Sequence, residues 1–118
     1  MSIQDFIQQL QQSPETTSFD STISLISEHY HYTPTRFTNG IGDDQVCNDA
    51  GTNEGSCKLF AFGRLNQLTQ AQMLNCFGTY YRDDVLLHPE GNDHGNIRNF
   101  IRHGWDGIQF DGNALSTK

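Results

Sequence analysis

Ser56-Cys57-Lys58-Leu59-Phe60-Ala61-Phe62-Gly63-Arg64-Leu65-Asn66-Gln67-Leu68 has the pattern of a helix with almost no solvent face. Leu59, Phe60, Ala61, Phe62, Leu65 and Leu68 occupy most directions around a 3.6-residue turn, and a helix apolar nearly all round belongs at the centre of a molecule. Ser56 reads as its N-cap. The rest of the chain must wrap this segment. Downstream, Thr69 and Gln72 have capping-box spacing, and Met73, Leu74, Phe77, Tyr80 and Tyr81 form the inner face of a further helix. Arg82 to Gly95 is polar and irregular, punctuated by Pro89, Gly91 and Gly95. A last helix starts near Asn96 and turns Ile97, Phe100 and Ile101 inward. Gly104 fits its C′ position, with Trp105 packing back. Ile108 to Phe110, between two glycines, has room for one short strand.

Upstream, Asn39 to Gly55 holds four glycines, four acids and no basic residue, the composition of a long loop. Phe19, Ile23, Ile26 and Tyr30 recur at helical spacing. Tyr30 to Phe37 reads as an extended segment or edge strand, because Pro34 cannot donate to a central ladder. Ser2 to Gln12 carries a stripe of Ile3, Phe6, Ile7 and Leu10, capped by Ser2. With only two valines in the chain, a large sheet is not expected. The expectation is a mainly α, α+β fold: residues 1–118 as a compact single domain of about five helices with a short β element.

Lys and Arg number 7 against 14 Asp and Glu, a formal net charge of −7. Such a chain lacks the cationic face that neutralises phosphates, so neither nucleic acid nor an anionic membrane surface is an expected partner. No apolar run reaches the length of a membrane span, and no basic-then-apolar leader opens the chain. The three cysteines, Cys47, Cys57 and Cys76, are an odd number without CxxC spacing. Reduced thiols in a cytoplasm are expected.

Several strings are distinctive. Phe37-Thr38-Asn39-Gly40, Asn53-Glu54-Gly55-Ser56-Cys57-Lys58 and Phe77-Gly78-Thr79-Tyr80-Tyr81-Arg82-Asp83-Asp84-Val85-Leu86 are three of them. Asp93-His94-Gly95-Asn96-Ile97-Arg98-Asn99-Phe100 and Gly104-Trp105-Asp106-Gly107-Ile108 are two more. Together they resemble the HopJ type III effector family over residues 19–115, leaving 1–18 as a polar helix and linker. A bacterial cytoplasmic origin and action through a host or bacterial protein partner are expected, and the resemblance implies translocation into a host cell for some members. It carries no catalytic residues. The opening residues, with five Gln and three Ser in 1–18, loosely fit an export signal, although an ordinary surface helix explains the same stripe.

Two constellations bear on chemistry. Cys57 in the first turn of the central helix would lie near unpaired N–H groups that favour a thiolate. His88 or His94 could then act as its base, oriented by Asp84 or Asp93, in a small thiol-dependent enzyme. Asn53, Glu54, Arg98 and Trp105 are the candidates for a ligand pocket, which mixes aromatic walls with a few polar anchors. The same polar residues equally suit a structural network: Asn39, Asn48, Asn53 and Asn99 tying the loop to the last helix, with Glu54 paired to Arg98. Asp83, Asp84, His88, Asp93 and His94 offer metal-type ligands, but at no recognisable spacing. The Asn39–Gly55 loop fails every calcium-loop register. Neither a metal nor a cofactor is expected.

Overall fold

The computed structural model describes residues 1–118. Five α-helices, α1 (Ile3–Gln12), α2 (Phe19–His29), α3 (Glu54–Leu65), α4 (Gln70–Cys76) and α5 (Gly95–His103), are joined by five three-residue strands and a π-helical turn at Tyr80–Val85. The strands are β1 (Tyr30–Tyr32), β2 (Phe37–Asn39), β3 (Val46–Asn48), β4 (Ile108–Phe110) and β5 (Leu115–Thr117). They make two small antiparallel sheets. One pairs β1 with β5, Tyr30 opposite Thr117; the other has the order β3-β2-β4, with Phe37 opposite both Asn48 and Phe110.

α3 is the central element that its composition demands. Leu59, Phe60 and Phe62 are fully buried, and Cys57, Ala61 and Gly63 lie beside them. Phe60 touches aromatic rings on four other segments: Phe37 of β2, Phe77 after α4, Phe100 of α5 and Trp105, at centroid separations from 5.1 to 6.3 Å. From the other side Phe6 of α1 and Tyr30 of β1 meet Phe62 edge-on. Local signals place the helices around this cluster. Ser2 accepts from the Asp5 amide, Ser18 and Ser21 form a reciprocal box, and so do Thr69 and Gln72.

Five expectations need correction. α3 begins at Glu54, so Ser56 is inside the first turn and Asn53 is the cap residue. α4 ends at Cys76 instead of continuing through Tyr81, because Gly78 takes a left-handed conformation (φ +62°) and its backbone packs so tightly on Phe19 that a Cβ would come within 2.8 Å of the Phe19 amide nitrogen. The Asn39–Gly55 stretch contains a strand, β3, held by its ladder to β2. Tyr30 to Phe37 begins as expected in an edge strand, β1, but its last residue, Phe37, opens β2, the middle strand of the other sheet, and Pro34 falls in the connection between them. Leu65 and Ile101, expected inward, are exposed.

Removing the ring at the hub should show how much depends on it. Phe60→Ala should lower unfolding free energy by about 3–5 kcal/mol, measured by urea denaturation, as expected for a large aromatic truncated in a packed core. A loss under about 1 kcal/mol, within the range of ordinary surface changes, would mean that the aromatic cluster is not what holds the elements together.

Candidate functional site

The two helices that end nearest the polar loops, α3 and α5, start in the same unusual way. Each is preceded by a non-glycine residue in the left-handed region, Asn53 at φ 48° and His94 at φ 51°, and neither side chain caps its own helix. The side chains are used elsewhere. Asn53 Nδ2 donates to Asn48 Oδ1 at 2.8 Å, and His94 Nε2 lies 3.0 Å from Asp84 Oδ2. The first intrahelical acceptors, the carbonyls of Asn53 and His94, serve Cys57 and Arg98. The amides of Glu54, Gly55, Ser56, Gly95, Asn96 and Ile97 therefore have no acceptor within their helices.

Most of these residues face one another across a single cavity of about 420 Å³. Its lining includes Gly55, Ser56, Gly95 and Asn96, with Phe19, Phe77 and Tyr80 as aromatic wall. Phe19 and Tyr80 meet edge-on at 5.2 Å, and the Tyr80 and His94 rings lie 5.4 Å apart. Gly55 makes the wall possible, since a Cβ there would fall 2.6 Å from the Phe19 ring. No Asp, Glu, Lys or Arg lines the cavity, although the chain holds 14 acids. Two positive helix ends thus converge on an aromatic hollow whose lining holds no acid, the acid in the first turn of α3, Glu54, lying outside it.

A chain of amides, buried at Asn39, Asn48 and Asn99 and reaching the surface at Asn53, aligns the two helix ends. Asn39 Nδ2 donates to the carbonyl and side-chain oxygens of Asn96 (2.8 and 3.1 Å). Asn96 and Asn48 exchange two bonds (2.9 and 3.1 Å), and Asn53 joins at Asn48. Asn99 Nδ2 donates to the Asn39 carbonyl at 3.1 Å and to that of Asp44 at 2.6 Å. The network expected among Asn39, Asn48, Asn53 and Asn99 is present, and its hub, Asn96, had no distinguishing mark in the sequence. Asn39 Oδ1, fully buried, has no partner.

The other candidates lie apart. Arg98 pairs with Asp93 (2.7 Å), which holds that carboxyl below the usual carboxylate range, and donates to the carbonyls of His88 and Asp93. No Glu54–Arg98 ion pair forms. Trp105 Nε1 donates to the Leu68 carbonyl, with the ring against Phe60 and Phe100. Cys57 is buried, its Sγ 3.5 Å from the Thr35 carbonyl oxygen and next to Tyr32. Burial pushes this thiol up, with the Glu54 carboxylate adding to the shift and Lys58 opposing it. That is the reverse of the depressed value a first-turn thiol suggested. Cys57 and the histidines are not in hydrogen-bond contact: His94 is turned to Asp84, and His88 is exposed. No three His, Cys, Asp or Glu side chains converge as a metal site would require.

Against known proteins, the model of the HopJ type III effector protein family matches residues 3–115. The chain belongs to the HopJ type III effector protein family. Its residues 3–18 fall within the match, so the opening helix is part of the family's domain, and Phe6 and Leu10 are indeed buried in the core. A crystal structure described as that of unknown function protein VPA0580 is similar to this HopJ chain with a TM-score of 0.94 and 52% identity, covering 100% of this chain and 95% of the other. No curated protein matches the HopJ sequence. No helix of the molecule is long and apolar enough to cross a membrane.

The thiols of this HopJ chain yield two measurements. Under iodoacetamide, exposed Cys47 should label like a free thiol, while Cys57 and Cys76 stay protected until urea unfolds the chain. Fast native labelling of Cys57 with a midpoint well below ~8.5, the free-thiol value, would restore it as a nucleophile. Burial also pushes Cys76 up to about 12. The folded state then keeps protons that the unfolded chain releases, so the stability contributed by these thiols is complete below about pH 8.5 and is lost as pH rises from there toward the folded value. The urea midpoint should fall on going from neutral to strongly alkaline buffer, and fall less in Cys76→Ala. Equal slopes in the two proteins would show that Cys76 titrates alike folded and unfolded.

Proposed function

We propose that this type III effector family member works by binding, carried from a bacterial cytoplasm into a host cell, and that the cavity between α3 and α5 is its ligand site. The convergence of two uncapped helix N-termini on one aromatic-walled hollow carries this reading. Free N–H groups and the positive dipole ends favour an anion. The rings of Phe19, Phe77 and Tyr80 favour a flat apolar body beside it. The cavity, at about 420 Å³, has the size of a small-molecule site, with apolar rings on one side and polar groups on the other. A compact anion with a planar apolar part is therefore the ligand class. His94, held by Asp84 through Nε2, sets its ring beside that of Tyr80 at the edge of the cavity. Asn53 is the one earlier candidate for ligand contact that lines this cavity.

The test uses phenyl phosphate and benzoate as probes, titrated into the ¹⁵N-labelled full chain. Amide shifts should concentrate at Glu54 to Ser56 and Gly95 to Ile97. Ser56→Asp should leave the melting temperature unchanged or raised, since an acid in the first helical turn is favourable there, while weakening binding at least about tenfold by supplying an internal anion. Shifts scattered over the surface, or binding indifferent to Ser56→Asp, would overturn the assignment.

A further inference from the structure

A second concavity of about 200 Å³ lies where the end of the π-helical turn meets the outer face of α5. Val85 and Leu86 form one side, Pro89 another, and Arg98, Ile101 and Arg102 the third. Leu86 is 51% exposed and Ile101 39%, while Leu87, next in the chain, is 68% exposed. Three large aliphatic side chains in the same neighbourhood cost free energy in water that burying them elsewhere would have avoided.

The groove is rigidly built. The Arg98 guanidinium donates to the His88 carbonyl (2.9 Å) and the Asp93 carbonyl (2.6 Å) and pairs with the Asp93 carboxylate, so it ties the loop carrying Pro89 to α5. Its own charge is thereby used. Arg102 differs: its side chain is 56% exposed, bonds Asn99 Oδ1 at 3.2 Å, and lies 3.9 Å from the Asp44 carboxylate, well beyond a charge-assisted hydrogen bond. Its remaining donors face solvent beside the apolar notch. No acid lines the groove, so it stands out in sign on a chain of net charge −7.

Size and charge together select the occupant. The notch has room for one bulky side chain. It falls far short of the roughly 800 Å² per partner that a stable dimer buries, and a second copy would bring another −7 to the contact. We propose that this groove docks a short segment of a partner protein, one large apolar side chain seated against Leu86 and Ile101 with an Asp or Glu one or two residues away paired to Arg102. This extends the reading that the chain acts by binding, at a site separate from the cavity.

The test pans a random peptide display library against the immobilised full-length chain. Selected peptides should share a bulky apolar residue with a nearby acid. Leu86→Asp should abolish their enrichment, and Arg102→Glu should exchange the acidic preference for Lys or Arg; both positions are exposed, and circular dichroism checks that each variant folds. For a selected peptide, either substitution should weaken binding at least about tenfold. The absence of a consensus, a consensus kept by Leu86→Asp, or an acidic preference kept by Arg102→Glu would each overturn the groove. Sedimentation that shows concentration-dependent dimers lost in Leu86→Asp would give the groove to a second copy and likewise overturn it. Peptides lost in Ser56→Asp but kept by Leu86→Asp would belong to the cavity, which would sink this proposal and leave the binding reading standing.

Discussion

A helix that buries nearly every face has to be enclosed on all sides, and in a chain of 118 residues that requirement organises everything else. No single neighbour can cover α3. Its surroundings are therefore assembled from short pieces, each contributing one or two rings or aliphatic groups: Phe6 and Leu10 from α1, Phe37 from β2, Phe77 after α4, Phe100 and Trp105 around α5. The three-residue strands follow from the same constraint. They serve as struts that hold core residues in place, which is why five strands split into two small sheets without forming a layer of their own.

Enclosing α3 also determines where polar groups must be buried. Asn39 and Asn48 lie on adjacent strands with almost no exposure, and an unsatisfied buried amide costs on the order of 1–3 kcal/mol. Their partners are found at the start of α5, through Asn96, and at the start of α3, through Asn53. The two helix N-termini are thus brought together by the need to satisfy strand side chains. Using Asn53 in this network, and His94 in the bond to Asp84, leaves both helices without the side-chain caps that α1, α2 and α4 possess. An uncapped helix start loses roughly 1 kcal/mol relative to a good cap. Two such losses beside one cavity, with both cap residues in the left-handed region, are the kind of local cost that collects at functional sites.

The legibility of this molecule in its sequence follows the range of the interactions. Signals confined to one turn could be read: the caps at Ser2 and Thr69, the end of α5 at Gly104, and the all-round apolar α3. Ser56 misled because a serine before an apolar run resembles a cap, whereas the cap lies three residues earlier, at a left-handed asparagine whose side chain makes no capping bond. β3 was hidden because three residues are too few to establish a period. The asparagine network was partly visible as an accumulation of amides in distinctive strings, but Asn96, bonded to residues 48 and 57 positions away, carries no mark of its role. Cys57 could be placed in a first turn; that the turn was roofed over could not be read from its neighbours, and burial reverses the expected shift of its thiol.

The few cations tell against a simple electrostatic reading of net charge. Arg64 donates to the carbonyls of Trp105 and Ile108, Arg82 to those of Pro14, Thr17 and Asn75, and Arg98 to those of His88 and Asp93. Guanidinium groups suit this work because their donors fan out in a fixed plane and can join several carbonyls from different segments. Three of seven basic side chains are thereby used as fasteners between segments. A protein arranged in this way has little mobile positive charge with which to hold an anion. Beside the cavity, which no Lys or Arg lines, the positive groups are backbone amides: fixed in direction, unable to titrate, and set among the rings of Phe19, Phe77 and Tyr80.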